Sequence, residues 1–188
     1  QILDAAARML RRQGYGNTTL RKIAEVAGIQ AGSIYYHFAS KDEIMDAVLE
    51  RGVRAVYEAV RDSLAALPPD TPDRRRIEVA VGAHLEALLS HGDYTSTSIR
   101  TYGEVPMAFQ QKSQPLRDAY VVLWQELLAG AQAAGAIRAD LDTHVLRPLL
   151  LGSLNWTVEW YDPSQRPVAE IAAQAVDMLF HGVLPTEA

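Results

Sequence analysis

Between Gln1 and Arg12, apolar residues recur every three or four positions (Leu3, Ala6, Ala7, Leu10), while Arg8, Arg11 and Arg12 fall on the other side. That spacing predicts an amphipathic helix, which Gly14-Tyr15-Gly16 ends. Leu20, Ile23, Ala24 and Ala27 form a second stripe. Thr18 or Thr19 stands just ahead of it, where a hydroxyl can accept from an unpaired amide of the first turn. Gly28 follows at the position where helices close in a left-handed conformation. Ile29 packs the corner, and a second short helix is expected from about Gln30 to His37. Its composition is unusual: Ser33, Tyr35, Tyr36 and His37 stand where a packing helix would carry leucines.

Ser40 is placed to cap a long helix from Lys41 to about Leu67, with Asp42 and Glu43 in its first turn and Ile44, Leu49, Val53, Tyr57, Val60 and Leu64 as its buried stripe. Pro68-Pro69-Asp70 terminates it, and Thr71-Pro72-Asp73 restarts a helix reaching about Ser90. From Gly92 to Ser113 the pattern breaks, with a short helix around Tyr94–Tyr102 and then Gly103 and Pro106; such a stretch suits a ligand entrance or a moving element. Pro115 to Ala134 is amphipathic, with Leu116, Tyr120, Leu123, Trp124, Leu127, Leu128 and Ala131 on one face, and Gly135 stops it. From Thr143 to about Tyr161 a helix is expected that is apolar nearly all round (Val145, Leu146, Leu149, Leu150, Leu151, Leu154, Trp156, Val158, Trp160) and so must be covered on both sides. A last helix, about Val168 to Phe180, offers the smooth face Ile171, Ala172, Ala175, Val176 and Leu179. With no strand alternation, repeat or low-complexity tract, the expected fold is all-α, of about nine helices.

Composition changes this picture little: 48% of the 188 residues are hydrophobic and 22% charged, as in ordinary globular proteins. No apolar run reaches the ~18–20 residues that span a bilayer. Cysteine is absent, which removes disulfides and thiolate metal sites and fits a reducing cytoplasm. Charge is more informative. Through Lys41 there are six basic residues (Arg8, Arg11, Arg12, Arg21, Lys22, Lys41) against Asp4 and Glu25, or +4, so the rest carries −9 of the net −5. Positive charge thus collects beside the tyrosine-bearing segment, where attraction to phosphates would need it.

Two short helices at a tight turn, the second polar and aromatic, describe a helix-turn-helix whose second helix lies in the major groove of DNA. Gly28-Ile29, Gly32-Ser33-Ile34-Tyr35-Tyr36-His37-Phe38 and Ser40-Lys41-Asp42-Glu43-Ile44 together resemble the DNA-binding domain of the TetR family of one-component repressors. The resemblance implies a three-helix DNA-binding domain at residues 1–46. A long helix would join it to a helical ligand-binding and dimerisation domain at residues 47–188. It also implies that the chain start at Gln1, already inside a helix, lacks a preceding piece that is often a basic arm. Carried onto matching positions, it suggests Arg21 for a base edge, Gly32 for close backbone approach, and Ser33 and Tyr35 for bases or their phosphates. Thr19, Tyr36, His37 and Lys41 are suggested as phosphate contacts. Gln30 and Ala31, also expected at the interface, stand where relatives commonly carry serine and lysine.

The last two helices, paired with their symmetry mates, would make a homodimer reading two half-sites of a palindromic double-stranded DNA operator. The remaining helices would form the sensor, since pockets between bundle helices are usual ligand sites. Tyr102, Phe109, Tyr120, Trp124 and Trp156 are its candidate lining. Leu151-Gly152-Ser153-Leu154-Asn155-Trp156, Trp160-Tyr161, Leu116-Arg117 and Gly135-Ala136-Ile137-Arg138 resemble a TetR subfamily with regulators of fatty-acid and steroid breakdown, several of which respond to acyl-coenzyme A thioesters. For such an effector Arg100, Arg117 or Arg147 is expected to pair with coenzyme phosphates. A hydrophobic drug-like or aromatic compound is the alternative effector, and a helical adaptor without DNA binding a more distant alternative. No nucleophile–base pair or metal set appears at recognisable spacing, so neither an enzyme nor a cofactor is expected. His84 and His91 lie on one helical face without a third ligand and read as packing or surface histidines. The acids near Asp140 lack calcium-loop spacing, Arg74-Arg75-Arg76 read as a solvated first turn, and Gly14-Tyr15-Gly16 has no preceding strand to make it a phosphate loop.

Overall fold

The helix boundaries follow from local chemistry in the computed structural model, which describes residues 1–105, 107 and 110–181, the side chain of Tyr102 excepted. Along the chain run α1 (Ile2–Gln13), α2 (Leu20–Val26), a 3-10 segment (Ala31–Tyr36), α3 (Lys41–Ala65), α4 (Asp73–Ser90), α5 (Gly92–Arg100), a 3-10 turn (Tyr102–Glu104), α6 (Ser113–Ala133), α7 (Thr143–Asn155), α8 (Thr157–Trp160) and α9 (Val168–His181). Among the described residues there is no strand, and the fold is all-α as the periodicity indicates. No helix among them is long and apolar enough to cross a membrane.

Contacts group the chain into two compact units, Gln1–Ala55 with His91–Asp118, and Val56–Ser90 with the chain from Ala119. Residues 1–46 lie wholly in the first. Its core takes Ala6, Ala7, Leu10, Ile23, Ala24, Ala27, Ile44 and Leu49 from the expected stripes and adds Ala5, Ile34, Met45 and, from α5, Tyr94, while Leu3 and Leu20 of the stripes are only partly buried. Polar ties hold α5 to α1 across this core. The Thr97 hydroxyl donates to the Ala7 carbonyl at 3.1 Å, and Arg11 pairs with Asp93 at 3.0 Å. The Tyr94 hydroxyl donates to Asp4 at 2.5 Å and accepts from Arg51 at 3.1 Å. Gly52 lets α3 come so near α5 that an added Cβ would stand 2.6 Å from the Tyr94 carbonyl oxygen. Asp46, buried on α3, caps α6 from outside: its carboxylate accepts from the amides of Lys112 (2.8 Å) and Ser113 (3.1 Å) and from the Ser113 hydroxyl (2.9 Å). An anion there meets the positive end of the helix.

In the second unit α4 packs on α9 and α7, and Ile77, Val81, Leu85, Leu88, Trp124, Leu128 and Leu154 fill the interior. One expectation needs correction. The helix expected from Thr143 to about Tyr161 is interrupted at Trp156, giving α7 and the single turn α8. Ser153 and Thr157 donate their hydroxyls to the carbonyls of Leu150 and Leu154, both at 2.7 Å, and this side-chain bonding competes with the helical ladder and bends it. Within the chain only one side of this helix is covered: Leu150 and Leu154 are buried, but Val145, Leu149, Trp156 and Trp160 are exposed, as is Met178 on α9.

Candidate nucleic-acid interface and sensor cluster

The turn that carries the tyrosines is set by its neighbours on both sides. Thr19 is extended and its hydroxyl accepts from the Lys22 amide at 3.3 Å, starting α2. Gly28 adopts φ +68°, the left-handed conformation that a side chain disfavours by about 1–2 kcal/mol, and the Ile29 amide closes back on the Ala24 carbonyl at 3.0 Å. The helix expected at Gln30–His37 is shorter and tighter: a 3-10 segment over Ala31–Tyr36, entered without a side-chain cap from Gln30. In a 3-10 segment residues three apart eclipse, so one inward anchor leaves its neighbours outward. Ile34 is that anchor, 1% exposed, while Tyr35 is 63% and Tyr36 89% exposed. Gln30, Ala31, Gly32 and His37 are also exposed, and Ser33 is half-buried.

Beyond this segment, Ser40 and Glu43 form a reciprocal cap: the Ser40 hydroxyl accepts from the Glu43 amide at 3.1 Å, and the Glu43 carboxylate accepts from the Ala39 amide at 2.8 Å. Lys41 does not swing freely. Its ammonium donates to the Tyr15 carbonyl at 3.0 Å and lies 3.7 Å from the centre of the Tyr15 ring. The Tyr15 hydroxyl is hydrogen-bonded to Asp42. Burial first, and then the Asp42 bond and charge, push the Tyr15 phenol up to about 12. Thr19, Arg21 and Lys22 are exposed on the start of α2. All ten residues expected at DNA therefore belong to the first unit, most of them solvent-facing, with Ser33 and Lys41 half-buried.

The sensor candidates are dispersed. Tyr120 and Trp124 on α6 do come together, and they bring in two residues not expected there, His84 of α4 and Tyr57 of α3. The Tyr120 and His84 rings are stacked with centroids 6.1 Å apart, and Trp124 and Tyr57 meet Tyr120 edge-on at 6.2 Å each. The Tyr120 hydroxyl lies 2.6 Å from His84 Nδ1. Burial pushes the His84 imidazole down to about 4, opposed by the nearby Asn155 side chain, so the ring is neutral at ordinary pH. Burial likewise raises the Tyr120 phenol. The His84 ring faces the Asn155 side chain and the Trp124 indole N–H faces the Tyr120 hydroxyl, both outside ideal hydrogen-bond geometry, while Nε of Arg147 on α7 is buried with no hydrogen-bond partner.

The other candidates lie elsewhere. Trp156 is 65% exposed at the break after α7. Arg100 and Arg117 belong to the first unit, the latter donating to the Ser98 hydroxyl at 3.2 Å. Phe109 and the side chain of Tyr102 lie outside the described residues. His84 was readable only as packing because it falls among Ile77, Val81 and Leu88 at helical spacing, so its position marked it as core. A histidine in such a stripe was the one available signal. His91 is exposed, and among the described residues no group of three His, Cys, Asp or Glu is placed to hold a metal.

Known proteins share this arrangement. Residues 2–48 match the family of bacterial regulatory proteins, tetR family, and residues 70–183 match the tetracyclin repressor-like C-terminal domain. The HTH-type transcriptional repressor KstR2 of Rhodococcus jostii is 26% identical over 97% of this chain and 89% of its own length. The fatty acid metabolism regulator protein of Bacillus subtilis is 20% identical over 97% of this chain and 94% of its own. Among solved structures, AibR in complex with isovaleryl coenzyme A and operator DNA superposes with a TM-score of 0.81 at 22% identity, covering 95% of this chain and 96% of AibR. Matched at both its helix-turn-helix and its C-terminal helices, the chain belongs to the TetR family of DNA-binding transcriptional regulators, which are not enzymes.

Proposed function

We propose that this regulator is a repressor that binds a palindromic operator as a homodimer and leaves it when a small-molecule effector, an acyl-coenzyme A thioester, occupies the helices beyond the DNA-binding head. The observation that carries the DNA part is the outward pair Tyr35 and Tyr36 on a short segment pinned by buried Ile34. Phenol rings so exposed have no packing role. Arg21, on the neighbouring helix, makes no hydrogen bond or ion pair among the described residues, so its guanidinium is free for a base edge. Tyr36, Thr19, His37 and Lys41 serve phosphates and set the register, Lys41 with its position held by Tyr15. Gln30, Ala31, Gly32, Ser33 and Tyr35 line the groove-facing side. In this reading residues 1–46 are the DNA-binding part and residues 47–188 the ligand-binding and dimerisation part.

The exposed apolar face of α7, α8 and α9 supports the homodimer, since Leu149, Trp156, Trp160 and Met178 left in water form the kind of patch that marks an interface. The relatives support the effector class: KstR2 and the fatty acid regulator share nearly the whole chain with this protein, and AibR, of the same fold, holds an acyl-coenzyme A. Release then needs only that the effector prefer the DNA-incompetent arrangement, and moving the equilibrium from 1:99 to 99:1 takes about 5.5 kcal/mol of differential binding.

A gel shift with the DNA upstream of the gene, at rising salt, tests the reading. Tyr36→Ala and Lys41→Ala are expected to weaken binding by a similar factor on every sequence, with Lys41→Ala reducing the salt slope by about one. A change in base preference instead would contradict the phosphate assignments, and no shift at any salt would remove the operator altogether.

A further inference from the structure

The tyrosine-bearing segment carries two features for which the fold gives no reason. The first is Gln30, which opens the segment in an extended conformation and supplies no side-chain cap. Short polar side chains close such a start on its free amides, and glutamine is not among them. Gln30 is exposed, and its side-chain amide has no hydrogen-bond partner among the described residues. The second is Gly32. Its φ is not positive, and a Cβ added to it would meet nothing within 4 Å. Neither backbone conformation nor packing within the chain requires glycine there, although glycine weakens helical structure relative to alanine.

Close approach by something outside the chain accounts for both. Ala31 and Gly32, both exposed, leave the backbone bare beside Gln30, so the segment can lie against a surface while one long side chain reaches past it. In a helix-turn-helix the first residues of the second helix are the ones that meet base edges. The free carboxamide then selects its partner by its own chemistry, since it carries both an acceptor and donors. A phosphate offers only acceptors and would leave the glutamine oxygen unmatched. In the major groove guanine presents two acceptors, thymine an acceptor beside a methyl group, and cytosine a donor, whereas adenine presents N7 as acceptor and N6 as donor side by side. Only adenine satisfies both ends of the amide.

We propose that Gln30 reads an adenine in the major groove, its amide nitrogen donating to N7 and its amide oxygen accepting from N6. This rests on the groove-facing placement of the segment given above and adds the base that one side chain selects. Gln30 is then a specificity-determining residue, whereas Tyr36 and Lys41 set register on phosphates. The missing cap follows from this role, because an amide bonded back to its own segment is not available to a base.

The test selects sites for the full chain from a random-sequence duplex library, then titrates the selected duplex by fluorescence anisotropy with each base pair replaced in turn. For the wild type, one A·T pair in each half-site is expected whose replacement weakens binding about five- to 150-fold, the discrimination of a bidentate contact. Gln30→Ala should cut the penalty at that pair to about twofold or less and leave the preferences at all other positions in place. Gln30→Glu should move the preference to cytosine, whose N4 donates to a carboxylate, at lower overall affinity because the added charge repels phosphates. Gln30→Ser should also lose the adenine preference, yet raise the urea midpoint by supplying the missing cap. Unchanged discrimination in Gln30→Ala, or a loss at a pair other than A·T, would overturn the inference and leave operator binding intact. A lower urea midpoint in Gln30→Ser would overturn it too, by making Gln30 a prop of the fold. A wild type that binds every duplex alike would remove the operator, and the inference with it.

Discussion

His84 makes stability depend on pH in a direction that most histidines do not. Burial holds its folded-state pKa at about 4, against 6.5 for the free side chain. Between these values the unfolded chain binds a proton that the folded chain refuses. Stability from this residue is therefore fully present above about pH 6.5, falls as the pH drops, and levels off below about pH 4. At pH 5 the unfolded histidine is almost wholly charged and the folded one barely so, which costs about 2 kcal/mol; the limiting loss is about 3 kcal/mol. Urea unfolding followed by circular dichroism, at fixed protein concentration and ionic strength, measures this for the wild type and His84→Gln. Carboxylates titrate alike in both, so the difference between them isolates the imidazole. The wild type should lose about 2 kcal/mol relative to the variant between pH 7.5 and 5. Two curves that stay parallel through that range would show that the ring is solvated or charged in the fold, and the account of the aromatic cluster would fail with it.

Gly52→Ala forces a methyl group to within 2.6 Å of the Tyr94 carbonyl oxygen, so α3 and α5 must separate; a loss of about 1–3 kcal/mol is expected in denaturant unfolding. Asp46→Asn keeps the shape of the outside cap on α6 but removes its charge and one acceptor. It should cost about 2 kcal/mol and speed hydrogen exchange at the first amides of α6, Ser113 among them. Leu149→Glu places a charge on the exposed face of α7, where the side chain is 67% exposed. Light scattering should show it monomeric while its helical circular dichroism is unchanged, and a dimer that persists would move the interface elsewhere.

The head was legible because each of its steps is local. Thr19, Gly28, Ser40 and Glu43 act on atoms at most five residues away, and those distances can be counted along the chain. The all-α class was legible for the same reason, since the apolar stripes give the period directly. What could not be counted was any contact made at long range. Asp46 read as one more acid on a helix, yet it caps α6 from 67 residues away. The break at Trp156 was missed because hydrophobic content alone says helix, whereas the hydroxyls of Ser153 and Thr157 decide the local geometry.

The sensor resisted sequence reading for a deeper physical reason. Aromatic residues at helical spacing look the same whether they fill a core or line a site, so Tyr120, Trp124 and Trp156 could only be grouped by type. The structure separates them by what their polar atoms do. Trp156 is exposed at the break after α7, while Trp124 is wholly buried with its indole N–H facing the Tyr120 hydroxyl. The cluster of Tyr57, His84, Tyr120 and Trp124 is assembled by contacts between helices far apart in the chain, which no motif records, while the family resides in turns and caps, which the sequence spells out.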